Sequence, residues 1–524
     1  SFLLVFATPS WAALWYVDNA ASGSNNGTSW TNAWQAFANI VWASVSPGDT
    51  VYISGGTTSK TYNERLAASK SGTSGNPITI KTGQDAGHNG TVTITMTGSP
   101  YVGIYISGQY ITISGQVGTS RKMRITGCSG SGIDTSNAAN AIKLLYLEVD
   151  NNGNYGVHSS VSGTPYPAGW EIAYCSIYSN YQDAIQLTAN SGSVAAYGSN
   201  SIHHNSLRAV DDTLEISFGS VDYYDNVIGP NICGTIGHPD ALVVSGLYTR
   251  IYNNLFTGLQ QPCPANVINA GIYINQGVFG AITDAGHFAI YNNVFYEPSP
   301  TVGNMTNAAI TITLGKVYPL GSLTDCYVVN NTIIGHKNAI WNVIYTTTLS
   351  SITNYYIENN IVYKEGTAAS MRLDGGGNFT IRNHGEAGAN SVFSDYNDYY
   401  NTNNPSFAGS HGMTTNPNLG TDYKPQPGSP AMDHGISWAS LFTVDRAGVS
   451  RPQGSAWDIG AYEGGEDITP PVITNPLPSG VQTCDAESPV DKALAATSNE
   501  NATGKYGQSG ENDLHDPPQA VSAS

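Results

Sequence analysis

The feature that most constrains this chain is a short motif that keeps returning: an apolar alternation, one or two asparagines, then another apolar pair. It reads SIHHNSL at 201–207, DYYDNVI at 222–228, RIYNNLF at 250–256, AIYNNVF at 289–295, YVVNNTI at 327–333 and YIENNIV at 356–362. Taking Asn205, Asn226, Asn254, Asn293, Asn331 and Asn360 as equivalent gives steps of 21, 28, 39, 38 and 29 residues. Those are coil lengths of a solenoid, in which each repeat buries its apolar side only against its neighbours. Asparagines stacked at a turn can hydrogen-bond from one coil to the next. They are therefore assigned to structure and given no chemistry.

A second pattern reads turn residue, small residue, then apolar-x-apolar: NAIKL at 140–144, DAIQL at 183–187, DTLEI at 212–216, DALVV at 240–244 and NAIWN at 338–342. Each coil thus supplies at least two short strands, and parallel stacking of coil on coil is the economical arrangement. Composition agrees. Charged residues are 11% of the chain, against roughly 25% in ordinary globular domains, while Gly (58) and Tyr (32) are abundant. Between Thr31 and Val45, the spacing of Trp34, Phe37, Val41 and Val45 predicts a short amphipathic helix that caps the open end of the stack.

Here the residues resemble a known group. WYVDNAASGSNNGTSWTNAWQAF, SPGDTVYISGG and SGTSGNPITIK are similar to the opening of bacterial right-handed β-helix proteins of the pectate-lyase-like superfamily. GSPAMDHG and DRAGVSRPQGSAWDIGAYEG resemble the closing segment of many of them. The resemblance implies an all-β fold, a right-handed parallel β-helix, over about residues 14–465. Beyond it, ITPPVITNPLPSG and TSNENATGKY resemble strands of a bacterial immunoglobulin-like module, so 466–524 is expected to be a linker and an incomplete module of that type. Residues 1–13, SFLLVFATPSWAA, read as the end of a signal peptide cleaved after Ala12 or Ala13. The expected chain is exported, without a membrane span, and monomeric.

A formal charge of −18 removes the basic surface that nucleic acid requires. The same deficit means that an acidic polysaccharide would be held only with a bridging cation. Six cysteines (Cys128, Cys175, Cys233, Cys263, Cys326, Cys484) show no CxxC spacing, which argues against structural zinc. Cys233 and Cys263 are either a disulfide between stacked loops or buried thiols.

The sharpest chemical feature is a column. The second pattern aligns Asp183, Asp212 and Asp240, with Asp211, His238 and Glu215 nearby. Adjacent coils would hold neighbouring carboxylates roughly 4.8 Å apart, with a repulsion of about 3 kcal/mol per pair at an effective dielectric near 20. Such a column needs a proton, a cation or a purpose. One reading is acid–base cleavage of a glycosidic bond. Asp183 and Asp240, two coils apart, would stand roughly 9–10 Å from each other, near the spacing of inverting glycosidases.

That arrangement is similar to the NTD, DD and GHG motifs of polygalacturonase-type β-helix hydrolases. The resemblance implies catalytic roles for Asp183 in YQDAIQL, Asp211 and Asp212 in AVDDTLEI, and His238 in GHPDALVV, with Asp240 beside them. The sequence departs from the pattern: Asn-Thr is absent before Asp183, GHG is replaced by GHPD, and no RIK-like segment follows. A second reading makes Asp183, Asp212 and Asp240 ligands of Ca²⁺, as the pectate-lyase resemblance would imply. A third has the aspartates capping tight turns in a non-catalytic glycan-binding or structural surface protein. The expected partner is a polysaccharide, bound by Arg208, Glu215, Arg250 and Tyr181, and the expected cofactor is none or Ca²⁺.

Overall fold

A computed structural model describes residues 12–464 except 136–139, 163–167, 191–196, 209–212, 218, 231–239, 260–269, 278–281, 298–307, 317, 319, 337, 345–348, 364–368, 375–379 and 403–404. The signal-peptide residues 1–11, Cys233, Cys263, Cys484 and the immunoglobulin-like segment lie outside the described residues. So do Asp211, Asp212 and His238. Within the unit that ends at Gly464, the described strands form three parallel sheets of 14, 12 and 11 strands, here called I, II and III, plus one small antiparallel hairpin.

Between Thr50 and Asp374 the chain visits the sheets in the fixed order I, II, III, once per coil. Ile142–Leu145, Leu147–Asp150 and Val157–Ser162 make one turn, and Glu171–Ala173, Ser176–Tyr178 and Ile185–Asn190 make the next. Every pairing in these sheets is parallel and in register with the following coil. This is the right-handed parallel β-helix that the repeats imply, of the hand that parallel crossovers take. Inward positions are filled by aliphatic residues such as Ile142, Leu144, Ile172, Ile202, Ile251 and Ile290, all buried.

The corner from sheet I to sheet II explains the double asparagines. Its first residue is left-handed in coil after coil: Tyr146, Tyr174, His204, Asp225, Asn253, Asn292, Asn330, Asn359 and Tyr396 all have φ between 52° and 58°. Asn and Asp tolerate that conformation best among residues with a side chain. The second residue is the ladder. Asn205, Asn226, Asn254, Asn293, Asn331, Asn360 and Asn397 each accept, through Oδ1, the backbone N–H of the coil before. The closing segment lies along this corner. Asn292, Asn330 and Asn359 donate from Nδ2 to the carbonyls of Val444, Asp458 and Ile436 at 3.0, 3.0 and 2.7 Å. Within that segment Arg451 and Glu463 form a fully buried ion pair at 2.6 Å, which fixes the DRAGVSRPQGSAWDIGAYEG motif in place.

Two expectations need correction. The cap is not an α-helix. Trp34 is tied into an extended bridge with Val17, Ala36 gives no side-chain cap, and only Phe37–Asn39 winds, as one 3₁₀ turn. Trp34, Phe37 and Val45 still cover the end of the stack, while Val41 is 51% exposed. The NAIKL strand, Ile142–Leu145, belongs to sheet I, whereas the DAIQL, DALVV and NAIWN strands belong to sheet III. A small turn residue followed by apolar alternation fits the start of a strand in any of the three sheets.

Candidate functional site on sheet III

The strands after the three aspartates share one register. Ile185 pairs with Leu214 and Glu215 with Val243, so Asp183 and Asp240 stand at equal offsets, two residues ahead of Ile185 and Leu242. The same position holds Ser131 and Tyr155 in the coils before and Ala270 in the coil after. Both described aspartates are buried, Asp183 to 4% and Asp240 to 1% exposure. Asp240 Oδ1 accepts the N–H of Ala270 in the next coil, so this carboxylate ties one turn to its neighbour. The small residue that follows has its own reason: a Cβ on Gly156 would stand 2.5 Å from the Ala184 carbonyl oxygen.

One residue further into the strand core, the side chains turn outward. They form a column on adjacent coils: Ala67, Tyr105, Asp134, His158, Gln186, Glu215, Val243, Tyr273 and, beyond it, Trp341. His158 Nδ1 lies 2.9 Å from Asp134 Oδ1, and the Tyr155 ring stacks on the imidazole at 4.8 Å. Gln186 donates from Nε2 to Glu215 Oε2 at 2.5 Å. The outward face therefore holds a carboxylate-oriented imidazole and an amide-oriented carboxylate two coils apart. His158 lies close to the aspartate column one coil earlier and could be singled out on that ground, but the motif did not find its pairing with Asp134. Their strands begin Gly-Ile-Asp and Gly-Val-His, and a repeat template that admits glycine at the small position would have found them.

Of the other predicted residues, Tyr181 is 64% exposed on the turn that leads into Asp183. Arg208 ends a sheet II strand, its guanidinium 5.7 Å from the centre of the Tyr178 ring. Arg250 sits elsewhere: it is on the outer face of sheet I, where Asp222 takes its charge. Among the described residues no three His, Cys, Asp or Glu side chains converge as a metal ion would need. Asp240 Oδ1 already serves a backbone N–H, so Asp183 and Asp240 do not by themselves make a calcium set.

The outer face of sheet I is occupied differently. His203, Tyr224, Tyr252 and Tyr291 stack face to face at 4.6, 5.0 and 4.9 Å, and Phe442 of the closing segment ends the pile at 4.5 Å. Their faces are spent on each other. Further along the same column come Glu358 and Asp395, paired across adjacent strands and both fully buried. Burial, reinforced by Asp395, pushes the Glu358 carboxyl up to about 9. His384 Nδ1 stands 3.0 Å from it, and burial lowers that imidazole's pKa, so both shifts favour a neutral acid against a neutral ring. His411 Nδ1 is 2.8 Å from Asp395. The signal in sequence was a Glu before Asn-Asn at a column position held by Tyr in earlier coils.

No family model and no curated protein matches the sequence. Solved structures are similar in shape. A pectate lyase, Pel9A, aligns over 87% of this chain and 97% of its own at 13% identity and a TM-score of 0.45. An alginate lyase from Paenibacillus sp. str. FPU-7 aligns over 56% and 92% at 19% identity and 0.39. A complex of XylC with xylose aligns over 86% and 99% at 10% identity and 0.46. The parallel sheets and the asparagine corner place the chain in the class of right-handed parallel β-helix proteins.

Proposed function

We propose that the protein is an exported enzyme that cleaves polysaccharide along the outer face of sheet III. The observation that carries this reading is the outward column from Tyr105 to Tyr273, in which His158 is oriented by Asp134 and Glu215 by Gln186. Coils repeat at roughly 4.8 Å, close to the length of one sugar residue in an extended chain, so successive sugars can meet successive coils. His158 and Glu215 are two coil steps apart, roughly 9–10 Å along the sheet, which suits two groups on either side of a glycosidic bond with a water between. The Asp134 carboxylate holds the His158 ring in place through Nδ1. In the reaction the His158 ring gives a proton to the leaving glycosidic oxygen, while Glu215 takes a proton from water. The water oxygen bonds to the anomeric carbon as the old C–O bond breaks.

Asp183 joins the candidate set at the strand entry beside this face, Asp240 holds the adjacent turn, and Asp211, Asp212 and His238 stay in the set on their sequence motif alone. Tyr181 and Arg208 flank the entry as substrate contacts. A polysaccharide substrate is consistent with the pectate lyase and the alginate lyase that the chain resembles in fold, and calcium-assisted elimination is a distinct outcome of the same test. That test incubates the protein with neutral and acidic polysaccharides, with Ca²⁺ and with chelator, following reducing ends and unsaturated-sugar absorbance together. Reducing ends without unsaturation, lost by about 10²–10⁴-fold in His158→Ala and Glu215→Gln, are expected. Calcium-dependent unsaturation, or cleavage that ignores both substitutions, would refute the mechanism. Binding without cleavage would make the protein a glycan-binding surface protein.

A further inference from the structure

The outward column of sheet III does not begin at Tyr105. Its first described member is Ala67, paired with Tyr105 on the neighbouring coil, and Ala67 forms part of the wall of a cavity of about 410 Å³. The rest of that wall comes from the capping segment and the first coils: Phe37, Ile40, Trp42, Arg65 and Pro100. The volume falls within the range of roughly 300–1,000 Å³ typical of small-ligand sites. Its chemistry is two-sided. Phe37, Ile40 and Trp42 give an apolar wall, and the Arg65 guanidinium, 5.3 Å over the Tyr105 ring, gives a fixed fork of donors. The Glu64 carboxylate at its edge is anchored by the N–H of Ala38 at 3.3 Å.

An apolar wall beside a donor fork suits one sugar ring, which has an apolar face and a rim of hydroxyls. We infer that the cavity under the capping segment is a distal subsite that holds one sugar of the glycan whose cleavage site lies at His158. This rests on the sheet III reading above. The column sets its address. Ala67, Tyr105, Asp134 and His158 are successive coils, so the cavity lies three coil steps from His158, roughly 14 Å. A chain that reaches it must extend about three sugars from His158 towards the cap. The stretch that was expected to be only a lid over the core therefore also forms the far end of the binding groove, and the half-buried Trp42 both packs against the core and lines the cavity.

The test measures calorimetric binding of xylo-, cello-, mannurono- and galacturono-oligosaccharides of two to eight residues to the wild type, to Trp42→Ala, and to Ala67→Trp. The last variant fills the cavity without removing any packing group. Any variant whose melting temperature falls is set aside in favour of the other. Expected is a loss of about tenfold in affinity for the longest oligosaccharides that bind, with the shortest ones unchanged, in either variant. Equal affinity of variant and wild type at every length, with the longer chains still bound, would overturn the subsite and leave the sheet III groove standing. Loss of affinity at every length alike would also overturn it, because a distal pocket is not reached by short chains. If no oligosaccharide of any class binds the wild type, the groove itself fails and the subsite with it.

Discussion

Asn293 offers the most direct test of what holds the stack together. Its Oδ1 accepts the backbone N–H and the side-chain Nδ2 of Asn254, both at 3.0 Å, and its Nδ2 donates to the Ile251 carbonyl at 2.8 Å. In Asn293→Ala the Asn254 side chain keeps the Tyr223 and Tyr252 carbonyls, and Asn331 keeps the Asn293 N–H. The Tyr291 carbonyl, which also accepts from Asn293 Nδ2, keeps the Asn253 N–H, so two buried groups lose the Asn293 side chain with no such replacement, the Asn254 N–H and the Ile251 carbonyl. At about 1–3 kcal/mol for each buried group left unmade, the loss is about 2–6 kcal/mol. Unfolding entropy scales with length, so in a chain of this size each kcal/mol moves the melting temperature by roughly 1 °C. Calorimetry should therefore show a fall of about 2–6 °C, and hydrogen exchange should show the Asn254 amide losing protection before amides several coils away, as expected when repeats contact only neighbours. Asn293→Asp keeps the acceptor but places a charge against the Ile251 and Tyr291 carbonyls, and should be worse above neutral pH than below pH 4. Asn39→Ala, at an exposed position, is the control and should stay within about 0.5 kcal/mol. An Asn293→Ala protein that melts with wild type and keeps the Asn254 amide protected would refute the ladder as a source of stability.

Glu358 makes the stability of the last coils depend on pH. Its folded value of about 9 lies above the ordinary carboxyl range, so the folded state holds the proton more tightly. That contribution is fully present below about pH 4.5 and is lost as pH rises towards 9. Glu358→Gln, a permanent mimic of the neutral acid, should gain on wild type across that window, by about 3 kcal/mol at pH 7. A constant difference in melting temperature from pH 5 to 9 would contradict it. At Asp240, replacement by Asn keeps an acceptor for the Ala270 N–H and should leave the melting temperature unchanged, whereas Asp240→Ala should cost about 1–3 kcal/mol. Equal behaviour of the two variants would show that the carboxylate does not serve that turn.

The fold was largely legible because its key residues have few other uses. Asn-Asn before an apolar pair combines the residue that tolerates φ near 55° with the one that bonds across coils, and nothing in a sandwich or barrel demands that pairing every few dozen residues. The register of DAIQL with DTLEI and DALVV followed from the same logic. NAIKL was misplaced because local alternation does not say which of three sheets a strand joins. The cap's conformation was missed because apolar spacing at Trp34, Phe37 and Val45 serves an irregular cover as well as a helix. On the site, Asp134 and His158 are 24 residues apart and Glu358 and His384 are 26. Each contact exists only because coils of unequal length fall into register, which periodicity alone does not fix.

The contrast between sheets I and III bears on why the proposed groove is placed on sheet III. On sheet I the outward residues match from coil to coil: ring lies on ring from His203 to Phe442, Lys143 meets Glu171 at 2.6 Å and Arg250 meets Asp222. Such matching stabilises the stack, because each added coil offers its neighbour the group it needs, and it leaves little for a ligand to claim. On sheet III the outward residues change chemistry at every step, Tyr105 to Asp134 to His158 to Gln186 to Glu215. The Asp134–His158 and Gln186–Glu215 contacts hold neighbouring coils together locally, but stacking alone would be served as well by a uniform column of Thr or Val. Variety at the coil period is what a face needs if each coil is to meet a different atom of a linear ligand, and departures from local consistency are where function is expected to lie. The same reasoning ties the two faces together. The closing segment adds Phe442 to the sheet I pile, and the capping segment brings Trp42 to the cavity at the end of the sheet III column, so one appendage completes a structural ladder while the other extends the proposed binding face.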